Sequence, residues 1–175
     1  SAALYFAPKQ KGDIRVATYN IKFLKAEDRQ ERIDALKVLI EKVDADIWGL
    51  QEISDRAALE RVFDPAAWQI VIDDDSGDNQ DLAVAVKEPL EVLGGLNADD
   101  EHFLFPGKDD NDFFPNRRDV LHVRVNVPGK EQPVSVFVVH AKSRYGGRSS
   151  NEHRRVGAAK ALLTRLRTEF ADRSY

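Results

Sequence analysis

The apolar positions of this chain keep two different periods, and each change of period marks an element. Ile14, Val16 and Tyr19 belong to a first strand, predicted over 14–18 and ending at Asn20. From about Asp28 to Val43 the period turns helical. Ile33, Leu36, Ile40 and Val43 stand at i, i+3, i+7 and i+10, and Asp28 is placed to cap the first turn. A second strand, IWGLQ at 47–51, runs into Glu52. A short helix over Ala57–Phe63 stops before Pro65, and a short strand follows at 69–72. LAVAV at 82–86 is a strong strand and 91–96 a weaker one. Residues 97–116 read as a loop rich in Asp, and alternation returns over Val120–Val127. Pro128 and Gly129 then turn the chain into Val134–Val139, which pairs with its predecessor as a hairpin. The β-branched residues of that run read as a strand buried on both faces. A last helix is predicted from about Ser150 to Phe170. Its core stripe is Val156, Ala159, Leu163, Leu166 and Phe170, with Ala158 and Leu162 beside it, and Ser149 or Ser150 caps it.

Composition narrows the class. At 175 residues, 42% hydrophobic and 32% charged, the chain is long enough and apolar enough for one domain with a real core. A net charge of −4 means that any contact with a polyanion must come from a local basic patch. With no Cys, disulfides, thiol catalysis and thiolate metal sites are excluded. No apolar run approaches membrane-spanning length. Acidic turns such as Asp73–Asp75 lack the spacing of a calcium loop and read as solvated surface.

Three strands end in residues able to do chemistry: Asn20, Glu52 and His140. Strand ends of a layered α/β protein commonly share the wall of one site. Glu52 follows Ile47, Trp48 and Leu50, so its carboxylate is partly desolvated and calls for a cation. A hard ion such as Mg²⁺ suits it, because one or two carboxylates and phosphate oxygens fill such a shell. After His140, Lys142 and Arg144 alternate onto one side of an extended chain before Gly146 and Gly147 break it. An imidazole and two cations at that point suit an anion such as a phosphodiester. Each of these residues has a bland reading as well. A carboxylate can cap a helix, an Asn can make a turn, and a boundary His can be merely hydrogen-bonded.

The stretches IRVATYNIK at 14–22, DADIWGLQEI at 44–53, DLAVAVK at 81–87, NRRDVLHVRV at 116–125 and VFVVHAKSRYGG at 136–147 together resemble the endonuclease/exonuclease/phosphatase family. The HAKSRYGG form is most similar to bacterial nuclease-like members. The resemblance implies an α/β (α+β) fold, the four-layer α/β sandwich of the deoxyribonuclease-like type, of which this chain carries about the first half to two-thirds. It implies Glu52 as the metal-binding glutamate and Asn20 as the asparagine beside metal and scissile phosphate. It implies His140 as the histidine that contacts the phosphate, and Arg117 as a phosphate-contacting arginine. Lys142 and Arg144 are added as phosphate clamps from strand geometry alone.

The implied activity is Mg²⁺-dependent phosphodiester hydrolysis, with Mn²⁺ or Ca²⁺ as alternative ions and DNA or RNA as substrate. A small-molecule or lipid phosphoesterase is the rival enzyme. The family's later Asp-x-Asn and Ser-Asp-His motifs are absent, and after Tyr145 the sole aspartate is Asp172. That absence favours a catalytically dead binding protein as a third reading. It also leads to the expectation of one domain over 1–175, C-terminally incomplete. An exposed sheet face would then be covered by a missing C-terminal fragment or a second copy. The nuclease resemblance leans toward a secreted or periplasmic protein.

Overall fold

The structure is a computed structural model that describes residues 6–72, 80–98, 102–104, 113–114, 120–141 and 148–170. In chain order the elements are β1 (Val16–Leu24), α1 (Gln30–Val43), β2 (Ile47–Ile53), α2 (Arg56–Glu60), β3 (Trp68–Ile72), β4 (Asp81–Lys87), β5 (Glu91–Leu93), β6 (Leu121–Asn126), β7 (Val134–Val138) and α3 (Arg148–Phe170). One sheet has the order β1-β2-β4-β3 and the other β5-β6-β7. In the first, β1 runs parallel to β2, whereas β4 is antiparallel to both β2 and β3. β6 and β7 form the expected hairpin.

Strand alternation sends the side chains of β2 and β4 into two different cores. Trp48, Leu50, Ala83 and Ala85 face outward against Ile33, Leu36 and Val43 of α1 and Ala58 and Leu59 of α2. Ile47, Leu82, Val84 and Val86 face inward against Leu121, Val123, Val125 and Val138 of the second sheet. Such burial stabilises by about 1.5–3 kcal/mol for each Val, Leu or Ile side chain. On the far side of the second sheet, Phe137 and Val139 meet Ala158, Ala161 and Leu162 of α3. The layers are therefore helix, sheet, sheet, helix, the four-layer arrangement expected from the sequence.

Three expectations are corrected. β7 is covered on both faces but only partly buried. It is the edge strand of its sheet, and only Val138 along it is fully buried. The stripe predicted for α3 is only partly inside: Val156 and Leu163 are exposed, Phe170 packs on His122 and Phe137, and the flanking Ala158 and Leu162 face the core. Ala158, Ala161 and Leu162 carry the contact with the second sheet. Asp28 does not cap α1. The N-cap position is Arg29 and has no side-chain cap, while Asp28 accepts from the Lys25 N–H and pairs with Arg32 at 2.6 Å. His122 stacks on Phe137 with centroids 4.4 Å apart and bonds Ser135.

The end of the first sheet away from the candidate site is tied by charge. Lys9 pairs with Asp44 at 3.1 Å and Asp46 at 2.9 Å, and Asp46 accepts the Arg15 backbone N–H at 2.8 Å. Burial pulls the Lys9 ammonium down, but hydrogen bonds to Asp46 and Asp44, with their charges, more than offset it and hold it above its ordinary value. The Lys9 hydrogen bond holds Asp44 below the usual carboxylate range, against the opposite pull of burial, and the charges of Lys9 and Lys87 add to the lowering.

β1 is the open side of this assembly. No strand among the described residues pairs with its outer edge. Val16 is 57% exposed, and Tyr19 and Phe23 are also exposed. No helix among the described residues is long and apolar enough to cross a membrane.

Candidate active site

Gln51 fixes how β1 and β2 present their ends. Its buried amide donates to Thr18 Oγ1 at 3.1 Å and to the Gly49 carbonyl at 3.3 Å. Thr18 and Gln51 therefore share the inner face, and Asn20, two residues beyond Thr18 and paired with Gln51, belongs to that face by alternation.

Regular pairing stops there. Ile21, Lys22 and Phe23 of β1 lie opposite Glu52 alone before Leu24 pairs with Ile53. Against β4, Gln51 pairs with Leu82 and Ile53 with Asp81, which leaves Glu52 as an extra residue. Both irregularities use left-handed backbone. Lys22 has φ 60°, Phe23 φ 56° and Glu52 φ 63°. Three non-glycine residues in that region, all next to candidate catalytic groups, are the kind of strain that marks a functional site.

The kink at Glu52 redirects its side chain. In a regular strand Glu52 would point opposite to Gln51, toward α1 and α2. Instead Glu52 Oε1 lies 3.3 Å from His140 Nε2, two residues beyond the end of β7 in the other sheet. The side chains are 15% and 12% exposed, so the pair is largely screened from solvent. Gly49 permits the approach. A Cβ placed on it would stand 3.2 Å from Val138 Cγ2, so β7 rests directly on the β2 backbone. Thus Glu52 and His140 come together, whereas Asn20 does not end its strand as expected: β1 continues to Leu24, and only its regular pairing with β2 stops at Asn20.

Arg117, Lys142 and Arg144 lie outside the described residues, so the proposed phosphate clamps have no place in this geometry. Sequence reasoning missed Gly49, Thr18 and Gln51. The visible signal for two of them was a glycine and a glutamine interrupting an otherwise apolar strand.

Among the described residues no cluster of three or more His, Asp or Glu could hold a metal ion. The donor set nevertheless suits one hard cation. Glu52 offers a partly buried carboxylate, and Mg²⁺ is commonly held by one or two carboxylates with water and phosphate oxygens completing the shell.

The endonuclease/exonuclease/phosphatase family model matches residues 17–174. The chain belongs to this family. Within it, solved structures confirm the fold at low identity. The structure of D. rerio TDP2 humanized by 14 mutations superposes with TM-score 0.64 at 14% identity, over 89% of this chain and 57% of that one. Truncated Caenorhabditis elegans TDP2 gives 0.62 at 20% identity, over 90% and 56%. D. rerio TDP2 complexed with single-strand DNA product gives 0.57 at 14%, over 89% and 55%. This family member thus spans a little over half the length of those relatives. No curated protein matches the sequence.

Proposed function

We propose that this chain contributes to the active site of a metal-dependent phosphodiesterase that cleaves nucleic acid. The observation that carries the reading is the 3.3 Å approach of Glu52 and His140 from different sheets, in a chain of the endonuclease/exonuclease/phosphatase family. Glu52 would hold Mg²⁺, or Mn²⁺ or Ca²⁺ in its place. When bound, such an ion polarises the phosphoryl group and neutralises its charge. His140 stands beside that carboxylate, where its Nε2 can donate to a phosphoryl oxygen or to the leaving oxygen. The carboxylate orients the ring, and the walls of the two sheets limit water. Arg117, Lys142 and Arg144 would steer and clamp the substrate backbone. A nucleic acid is preferred to a small phosphoester because this segment of the sequence is strongly basic: Lys142, Arg144, Arg148, Arg154 and Arg155 lie close together in a chain of negative net charge. A nucleic-acid product in D. rerio TDP2 agrees with that preference.

The test is cleavage of plasmid DNA, RNA, an inositol phosphate and sphingomyelin, with Mg²⁺ and with chelator. Glu52→Gln and His140→Asn should each lower nucleic-acid cleavage by about 10²–10⁴-fold. Near-normal rates in either variant would defeat the assignment. Cleavage of only the small phosphoester or the lipid would transfer the site to the rival substrate class.

A further inference from the structure

Helix α3 is a basic element in an acidic chain. It carries Arg148, Arg154, Arg155, Lys160, Arg165 and Arg167 against Glu152 and Glu169, while the net charge of the whole is −4. Both carboxylates are taken within the helix: Glu152 pairs with Arg155, and Glu169 with Arg165 at 2.5 Å. Among the described residues Lys160 and Arg167 have no carboxylate partner, and both are exposed. Seven residues apart, they stand on one line of the helix, separated by a rise of about 10.5 Å.

Beside that line runs a groove of about 510 Å³, lined by Phe113, Gly157, Lys160, Ala161, Thr164 and Arg165 among others. Gly157 makes it possible. A Cβ there would lie 2.2 Å from both Cδ1 and Cε1 of Phe113, so the ring rests on the helix where any other residue would displace it. Even so, Phe113 is 39% exposed. An aromatic ring seated on a helix, partly open to solvent and bordered by cations, is what unpaired nucleic acid uses. Bases stack on such rings, and cations follow the phosphates. A groove of this size falls in the range of about 300–1,000 Å³ that holds small organic groups, enough for one nucleotide. The segment before Phe113 is acidic in sequence, with Asp109, Asp110 and Asp112, so the attraction must come from α3.

We propose that the outer face of α3 is a second binding surface, one that takes single-stranded nucleic acid. A base stacks on the exposed part of Phe113, and phosphates of the same strand meet Lys160 and Arg167. A duplex fits less well, because its bases are already paired and stacked and do not reach the ring. This goes beyond the phosphodiesterase reading above: the strand is captured by residues other than Glu52 and His140, and capture needs no metal.

The test is binding of a fluorescein-labelled oligothymidylate to the 175-residue chain, read by fluorescence anisotropy in chelator, where metal-dependent cleavage does not operate. The wild type should bind the single strand more tightly than a duplex of equal length. Phe113→Ala should weaken binding about tenfold, the scale of one base–aromatic stack, and leave the salt dependence unchanged. Lys160→Gln should lower the slope of log K against log salt by about 0.7, the share of one phosphate contact on a single strand. In Phe113→Trp the strand should bind at least as tightly and quench the new indole. Gly157→Ala should keep its helical circular dichroism, since alanine is the better helix former, yet bind as weakly as Phe113→Ala. Wild-type affinity in Phe113→Ala, or an unchanged salt slope in Lys160→Gln, would overturn the proposal. So would equal affinity for the duplex, or binding to phosphatidylserine vesicles in place of the oligonucleotide, which would assign the face to a lipid surface. A chain that binds the strand in this way but cleaves nothing with Mg²⁺ would refute the phosphodiesterase reading alone. One that cleaves nucleic acid without this binding would refute the second surface alone.

Discussion

Replacing Glu52 by glycine should give a more stable protein than replacing it by alanine. Both variants delete the carboxylate and its contact with His140, so that loss cancels when the two are compared. What remains is backbone. Glu52 sits at φ 63° inside a strand pair, a conformation that costs an ordinary L-residue about 1–2 kcal/mol. Alanine retains that cost, and glycine is free of it. Against this, glycine in a strand loses about 0.5–1 kcal/mol to alanine through the entropy of the unfolded chain. The difference leaves Glu52→Gly ahead by about 0.5–1 kcal/mol, or a melting temperature about 1–4 °C higher for a chain of this size. Urea unfolding followed by circular dichroism, with calorimetry beside it, measures both quantities. Ala85→Gly is the control, because β4 is regular there and the normal order should hold. If Glu52→Ala equals or exceeds Glu52→Gly while the control behaves, the left-handed strain at Glu52 is not stored in the folded protein. The account of how its side chain reaches His140 would then fall.

Other perturbations probe the rest of the frame. Gly49→Val places an isopropyl group where even a Cβ is 3.2 Å from Val138 Cγ2; it should cost about 1–3 kcal/mol and move β7 off β2. An unchanged urea midpoint with unchanged His140 ring resonances would contradict the close approach of the two strands. Asp44 is held below its ordinary value near 3.8, so the stability it contributes is present above that value and is lost as pH falls through its lower folded value. Lys9 is held above its ordinary value near 10.5, so its share is present below that value and is lost as pH rises through its folded value. Its partner Asp44 is nearly half exposed, so Lys9→Gln should remove well under about 1 kcal/mol at neutral pH and flatten the acid limb of a stability–pH profile. A profile that keeps its shape in Lys9→Gln would mean that the pair does not couple to folding. Val16→Lys should change stability by less than about 0.5 kcal/mol but reduce self-association in sedimentation velocity, because the residue is exposed on an unpaired edge. Equal association of both forms would place any contact between copies elsewhere.

Periodicity revealed the elements because it reports which faces are buried, and most of this fold is simple burial. Ile33, Leu36 and Val43 keep helical spacing and are the buried residues of α1. LAVAV is buried throughout because β4 lies in the middle of a sheet covered on both sides. Where the signal misled, a second effect had overridden hydrophobicity. In α3 the buried face runs through Asn151, Ala158 and Leu162, one position off the stripe of Val156 and Leu163. In β7 the apolar run resembled that of a central strand, but a run of Val and Phe does not say how many neighbours the sheet supplies. The candidate residues Glu52, His140 and Asn20 were visible as polar ends of apolar strands. Their geometry was not, because it depends on three left-handed residues, Lys22, Phe23 and Glu52, that carry no glycine to announce them.

That last point explains why the site lies where it does. Two neighbouring strands both lose register at the same level, β1 over Ile21–Phe23 and β2 at Glu52. A regular pair of strands would turn Asn20 and Glu52 to opposite faces, since paired residues share a face and Glu52 is one beyond Asn20's partner Gln51. No ligand could then meet both. The kink at Glu52 brings its carboxylate to the inner side, where His140 waits at 3.3 Å. The bulge in β1 supplies the Lys22 N–H that turns the Asn20 amide nitrogen outward. Each distortion costs the fold about 1–3 kcal/mol, and past each one a fully buried residue, Leu24 in β1 and Ile53 in β2, enters the outer core. The surrounding contacts hold them in place, through Arg32 on the β1 side and Ser54, whose N–H and hydroxyl both bond the Leu24 carbonyl at 2.9 Å, where the strands rejoin. The strain is thus braced from both ends and offset by the burial of Leu24 and Ile53, and it leaves the Glu52 carboxylate beside His140.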